Sequence, residues 1–180
     1  MQEDTRLIWR LKRGEREALR RLYEKYKNKL LAIAALLLND GNAAEDIVHD
    51  VFVSLAAGIR WFEFRGKLEN YLITCVVNRV RDRFRRKQYE VVEIRRLGQI
   101  GSNSPGPEQS AMFSEETQLL MDGLARLPFE QREVIILHLK GGMKFREIAA
   151  AQGVPVSTAQ ARYRYGLDKL RFVLNAGVIG

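Results

Sequence analysis

Between Arg16 and Leu38 the apolar side chains return at the three-to-four-residue spacing of one helix face. They are Leu19, Leu22, Tyr23, Tyr26, Leu30, Ile33, Ala34 and Leu37. A strand would instead alternate buried and exposed positions. A shorter helix is predicted before it, from Glu3 to Arg13, broken by Gly14. After the turn signal Asn39-Asp-Gly-Asn42, a third helix follows, with Asn42 as its cap and Glu45 completing a capping box. Ile47, Val48, Val51, Phe52 and Leu55 give it an apolar set, of which Val48, Phe52 and Leu55 are expected in the core. A fourth helix is expected from Leu68 to Lys87. Only Glu90 to Ile94 has a β-like pattern, and it is short.

The tract from Gly98 to Glu108 is rich in Gly, Ser and Pro. Such a composition buries too little apolar surface to offset its ordering entropy, so it reads as a tether. The expected organisation is a module over residues 1–97, a flexible linker over 98–110 and a second module over 111–180. The fold class is all-α: two small helical domains joined by that linker, the second a four-helix, helix-turn-helix domain without a wing.

The most informative pattern lies between Lys144 and Arg171. Phe145, Ile148 and Ala149 recur at helical spacing, and Gly153 can take the positive φ that ends a helix sharply. Pro155 suits the start of a new helix, where its fixed φ fits and its missing N–H costs nothing. In that helix Ala159, Tyr163, Gly166 and Leu170 form the inward stripe. Ser157, Thr158, Gln160, Ala161, Arg162, Arg164 and Tyr165 are left pointing outward. Two amphipathic helices around a glycine turn can be a plain αα-hairpin. The outward types nevertheless match base-edge and phosphate chemistry, and Glu is absent from Val154 to Arg171. The layout is that of a DNA-reading helix-turn-helix.

Charge sharpens this picture. A net charge of +8 over 180 residues favours a polyanionic partner. The third helix runs against that trend: no Lys or Arg occurs from Leu30 to Ile59, while Asp40, Glu45, Asp46 and Asp50 are acidic. The fourth carries Arg79, Arg81, Arg83, Arg85, Arg86 and Lys87 against Asp82 alone in its last stretch. Phosphates would repel the one and attract the other, so the third helix suits a protein partner. Between them, Arg60 to Lys67 interleaves aromatic and basic residues, which suits unstacked bases. Phe62 and Phe64 fit a hydrophobic plug better, and Trp61, Arg65 and Lys67 fit an exposed, strand-contacting loop.

Other chemistries find little support. The lone cysteine, Cys75, sits in an apolar run and is expected to be a buried, inert thiol. His49 and His138 lie in no repeated metal-ligand pattern, and no catalytic set, cofactor motif or metal site is visible. An acidic start without an apolar h-region is not a secretory signal, and no uncharged apolar run approaches a membrane span. A cytoplasmic protein without membrane insertion is expected.

An acidic-apolar helix, an aromatic-basic loop, a basic helix, a tether and a helix-turn-helix, in that order, resemble bacterial sigma factors of the extracytoplasmic-function subfamily. Ala44 to Phe52 is similar to that family's core-polymerase-binding motif, with His49 and Asp50 in place of its usual Gln and Glu. Arg65 to Leu72 resembles its Arg-Gly-Ser-Phe-x-x-Trp-Leu, with Leu68 for Phe and Tyr71 for Trp. Asn78 and Asp82 followed by Arg85-Arg86 match the promoter-melting helix. Leu124 to Val134 is similar to the Leu-x-x-Leu-Pro-x-x-x-Arg-x-Val opening of the second domain, and Glu147-Ile-Ala and Gly153 match its helix-turn-helix.

The resemblance implies a promoter-specificity subunit that binds core RNA polymerase and promoter DNA, both duplex and melted strand, and that an anti-sigma factor restrains. It implies that Asp46, Ile47, Asp50 and Val51 face the polymerase. Trp61, Arg65, Lys67, Asn78, Arg79, Arg81, Arg85 and Arg86 would meet the minus-ten DNA. Ser157, Thr158, Gln160, Arg162, Arg164 and Tyr165 would meet the minus-thirty-five duplex. Pro155 stands where the family has a capping Ser, Gly166 where it has Ala, Gln160 where Lys is common and Tyr165 where Arg is common. Gly166 is expected to cost about 0.5–1 kcal/mol of helix stability. A stand-alone regulator, using the first module for dimerisation or sensing, is the second reading. An RNA-processing enzyme is the third and lacks an acid/base constellation.

Overall fold

The computed structural model describes residues 2–61, 63, 66–96 and 115–178. The proposed tether, Arg65, Phe62 and Phe64 lie outside them. Among the described residues every regular element is helical. The first module comprises α1 (Gln2–Lys12), α2 (Arg16–Leu38), α3 (Gly41–Gly58), a 3₁₀ turn (Ile59–Trp61) and α4 (Leu68–Arg96). The second comprises α5 (Glu115–Ala125), α6 (Phe129–Leu139), α7 (Phe145–Gln152) and α8 (Val156–Val178).

The buried positions of α2 follow the expected stripe closely: Leu22, Tyr26, Leu30, Ile33, Ala34 and Leu37, with Ala18 and Ala35 added. Leu19 and Tyr23 pack at its edge. Two expectations are corrected. The cap of α3 is Asp40 rather than Asn42: its carboxylate accepts from the Ala43 N–H at 3.0 Å. Asn39 takes the left-handed conformation (φ 54°) that ends α2, which delivers Asp40 to the cap position two residues earlier than Asn42. The β-like segment Glu90 to Ile94 is helical and belongs to α4, which runs past Lys87 to Arg96. Local β-propensity loses to continuation of a helix already nucleated, because each added residue gains a hydrogen bond.

In the second module Gly153 has φ 66° and its N–H bonds back to α7, while the Val154 N–H reaches the Ala149 carbonyl at 3.0 Å. That pair of bonds is the αL closure expected of a glycine stop. The Pro155 carbonyl then accepts from the Thr158 and Ala159 N–H groups, so the backbone itself starts α8 where a capping side chain is missing. Gly166 has a packing reason for being glycine. A Cβ there would lie 2.8 Å from Ile135 Cδ1 and 3.2 Å from Gln131 Cβ, so its absence lets α8 lie close on α6. His138 of α6 stacks on Phe145 of α7 at 4.4 Å and meets the Tyr163 ring of α8 edge-on, fastening the three helices.

The two modules share one core. Buried apolar residues form a continuous cluster from Leu7 in α1 to Leu170 in α8. α2 packs against α1, α3 and α4 on its own side and against α5 and α6 of the other module. Polar groups complete the junction. Arg132 of α6 is buried, and it donates to the Leu37 carbonyl at the end of α2 (2.7 Å) and to the carbonyls of Ala125 and Leu127. It thereby satisfies orphan acceptors at a helix end with a charge-assisted bond. Burial pushes its guanidinium pKa down, but from so high a value that it stays charged.

Candidate nucleic-acid and polymerase interface

The acidic helix α3 presents less to a partner than its sequence suggested. Ile47 and Val51, expected on the partner-facing side, are 6% and 2% exposed and belong to the core with Val48, Phe52 and Leu55. Asp46 and Asp50 are exposed. Val53 joins them, 51% exposed. Positions 46, 50 and 53 are one helix face, i, i+4 and i+7, so the spacing could have found Val53. An exposed β-branched side chain framed by two carboxylates offers apolar contact and repels phosphate.

An open cleft of about 690 Å³ runs between α3 and α4, lined by Asp50, Asn78, Arg79, Arg83, Arg86 and Lys87 among others. Arg83 lines this cleft too, although the motif residues Asn78, Asp82, Arg85 and Arg86 pass it over. The charge run Arg79–Lys87 already contained it.

The basic residues of α4 are not equivalent. Asn78, Arg85 and Arg86 are exposed, and Arg85 pairs with Asp82 one turn away. Arg79 turns toward α3, donating to the Asp50 carbonyl at 3.2 Å and to the Ser54 hydroxyl. Arg81 turns toward the second module. It makes a bidentate pair with Glu133 of α6 (2.6 and 3.0 Å) and donates to the Ala151 carbonyl of α7 at 2.9 Å. Glu133 is 1% exposed. A carboxylate taken so far from water needs a fork of this kind. Nearby, Asn70 at the start of α4 donates to Glu147 of α7 at 2.6 Å, and the other oxygen of Glu147 accepts from the Lys144 N–H as the first-turn cap of α7.

The loop before α4 shows Trp61 89% exposed, and Lys67 is exposed as well. Arg65, assigned with them, lies outside the described residues.

On the first turns of α8, Ser157, Gln160, Arg164 and Tyr165 are exposed and Thr158 is half-buried. The Arg164 guanidinium lies over the Tyr165 ring, 5.2 Å from its centroid. Arg162 differs. It is half-buried and donates to the Gln152 side chain of α7 at 2.8 Å, and Gln152 in turn donates to Glu133 at 3.2 Å. A single polar network therefore joins Arg162, Gln152, Glu133 and Arg81. Glu133 is its hub, and no sequence pattern singled it out.

The comparisons with known proteins meet this geometry at both ends of the chain. Sigma-70 region 2 matches residues 22–89, and Sigma-70 region 4 matches residues 117–170. The chain belongs to the extracytoplasmic-function sigma factors. It is 26% identical to the ECF RNA polymerase sigma factor SigW of Bacillus subtilis, over 91% of this chain and 92% of that one. It is also 26% identical to the RNA polymerase sigma factor CarQ of Myxococcus xanthus, over 92% of this chain and 94% of that one. In structure it resembles the sigma factor RpoE of Bartonella quintana, solved with the anti-sigma factor NepR: TM-score 0.73, 24% identity, 87% of this chain and 96% of that one. CnrH, solved with the cytosolic domain of CnrY, gives a TM-score of 0.69 at 22% identity, over 97% and 98% of the two chains. A sigma factor is a non-catalytic subunit that directs RNA polymerase to promoters, so this chain is a specificity subunit and not an enzyme. No helix among the described residues is long and apolar enough to cross a membrane.

Proposed function

We propose that this sigma factor divides its work among three surfaces. Asp46, Asp50 and Val53 on α3 face core RNA polymerase. Trp61, Lys67, Asn78, Arg85 and Arg86, with Arg65 and the neighbouring Arg83, hold the melted minus-ten strand. Ser157, Thr158, Gln160, Arg164 and Tyr165 face the minus-thirty-five duplex. Residues 1–97 and 111–180 then act as two anchors joined through 98–110. The observation that carries this division is the contrast of charge between two neighbouring helices: α3 holds Glu45, Asp46 and Asp50 with no Lys or Arg, and α4 holds a cationic run from Arg79 to Lys87 against Asp82 alone. Polyanionic DNA is drawn to one side only.

Arg79, Arg81 and Arg162 hold the fold together in this arrangement, and Arg81 reaches DNA only if its fork with Glu133 opens. The action is cytoplasmic, where core polymerase and promoters are found. Two of the structural relatives were solved bound to an anti-sigma factor or to a partner's cytosolic domain. A comparable inhibitory partner is expected here.

The test is transcription from a promoter library by purified core polymerase. Transcripts that appear only when this protein is added support the assignment and report the promoter sequence. Asp50→Arg should abolish co-purification with core polymerase and leave the helical spectrum unchanged. Tight operator binding by the free protein, with no transcription, would instead identify a stand-alone regulator.

A further inference from the structure

The chain contains two tryptophans, and neither is in the core: Trp9 is 56% exposed and Trp61 is 89% exposed. Tryptophan is the largest apolar side chain and is highly buried on average, so two exposed copies call for a reason. The elements that carry them touch: α1 packs against the 3₁₀ turn Ile59–Trp61. Leu7, Ile8 and Leu11 give α1 its buried face and Ile59 anchors the turn in the same core. Trp9 lies on the opposite side of α1, with Arg6 at i−3 and Arg13 at i+4. The Arg13 guanidinium stacks over the Trp9 ring at 4.6 Å.

The charge around this stripe is positive. Glu3 and Asp4 are both taken up by Lys25 at 2.7 Å, and Glu15 by Arg10 at 2.7 Å. Arg6, Lys12 and Arg13 remain exposed, as does Arg60 beside Trp61. Glu63 in the loop is exposed too and is outnumbered. A half-exposed indole stacked with a guanidinium offers aromatic surface to a base, and the cations beside it suit a phosphate backbone. A protein partner would be better served by aliphatic neighbours than by this cationic rim.

We propose that Trp9, with Arg6 and Arg13, continues the single-strand surface of Trp61 and Lys67 onto α1, so that the melted strand stacks on two tryptophans rather than one. This rests on the minus-ten reading of the loop. The experiment uses holoenzyme assembled from core polymerase and the full chain, with a fluorescein-labelled, mixed-sequence DNA strand of about 16 nucleotides followed by anisotropy. Trp9→Ala should weaken binding by about fivefold to a hundredfold, and Trp9→Phe should restore part of it. Arg13→Gln should flatten the salt dependence by about 0.7 of a log unit per log unit of salt. Unchanged affinity in Trp9→Ala, with loss in Trp61→Ala, overturns the extension and leaves the minus-ten reading standing. Unchanged affinity in both removes that reading as well. Weaker assembly of Trp9→Ala with core polymerase, at undiminished strand binding, would make the stripe a protein contact and also overturn the proposal. Because Trp9 is exposed, its truncation leaves the core intact, which a thermal melt of the free chain checks.

Discussion

Helices α4 and α8 both carry arginines assigned to DNA, yet they hold them differently. On α8 Arg164 is exposed and rests only on its neighbour Tyr165, whereas Arg162 is held by Gln152 of α7. On α4 Arg79 is engaged by α3 and Arg81 by α6 and α7, while Arg85 and Arg86 stay on the surface. Arginine suits both duties because its planar fork matches a carboxylate as well as a phosphate. Counting cations along a helix therefore measures its attraction to nucleic acid and says nothing of which cations are already engaged.

The comparison can be broken most forcibly at the hub. Glu133→Ala removes the buried acceptor of Arg81 and Gln152. It should cost about 2–4 kcal/mol, at the lower part of the range for a broken buried pair because Arg81 can turn to solvent. Urea unfolding of the full chain measures it, and a cycle with Arg81→Ala should show coupling above ~1 kcal/mol. Strict additivity would mean that the fork contributes nothing.

Gly166→Ala tests the packing of α8 on α6. Higher helix propensity favours alanine by about 1 kcal/mol, whereas overpacking against Ile135 and Gln131 costs about 1–3 kcal/mol. Net destabilisation is expected in the same unfolding assay. A more stable variant would show that Ile135 moves aside freely.

Arg79→Ala should lose about 1 kcal/mol through its bonds to the Asp50 carbonyl and Ser54. Asp40→Ala should lose a similar amount, about 1 kcal/mol, through the α3 cap. Arg86→Gln should behave in the opposite way. Its stability should stay within about 0.5 kcal/mol of the parent, while the salt dependence of strand binding flattens. If Arg79 and Arg86 proved alike in both measurements, the division between engaged and free arginines would fail. Smallest in stability is Arg164→Gln, also expected within about 0.5 kcal/mol, with its effect confined to duplex affinity.

Much of the architecture was legible because helical periodicity is a local signal. The α2 stripe, the Gly153 stop, the inward positions of α8 and the opposite charges of α3 and α4 each follow from residues within a few turns of one another. The misreadings have equally physical causes. Asp40 and Asn42 are both good caps, and the left-handed Asn39 decided between them. Ile47 and Val51 lie within the apolar arc of α3, between Ala43 on one side and Ala44 and Leu55 on the other, so the helical spacing already turned them inward. Assigning them to a partner face followed the motif and set that spacing aside. Gly166 looked like a simple loss of helix stability until the distance to Ile135 showed what the missing Cβ permits.

By itself, then, the sequence determined the helices, the two modules and the family, because hydrophobic period, turn chemistry and motif order are all encoded along the chain. Tertiary structure decided which arginines are free, why Glu133 can be buried, and that both modules close around α2 over one core. Those are outcomes of pairing across long separations, such as Arg81 with Glu133 and Arg132 with the Leu37 carbonyl. Burial of a charge is tolerable only where a partner arrives from elsewhere in the fold.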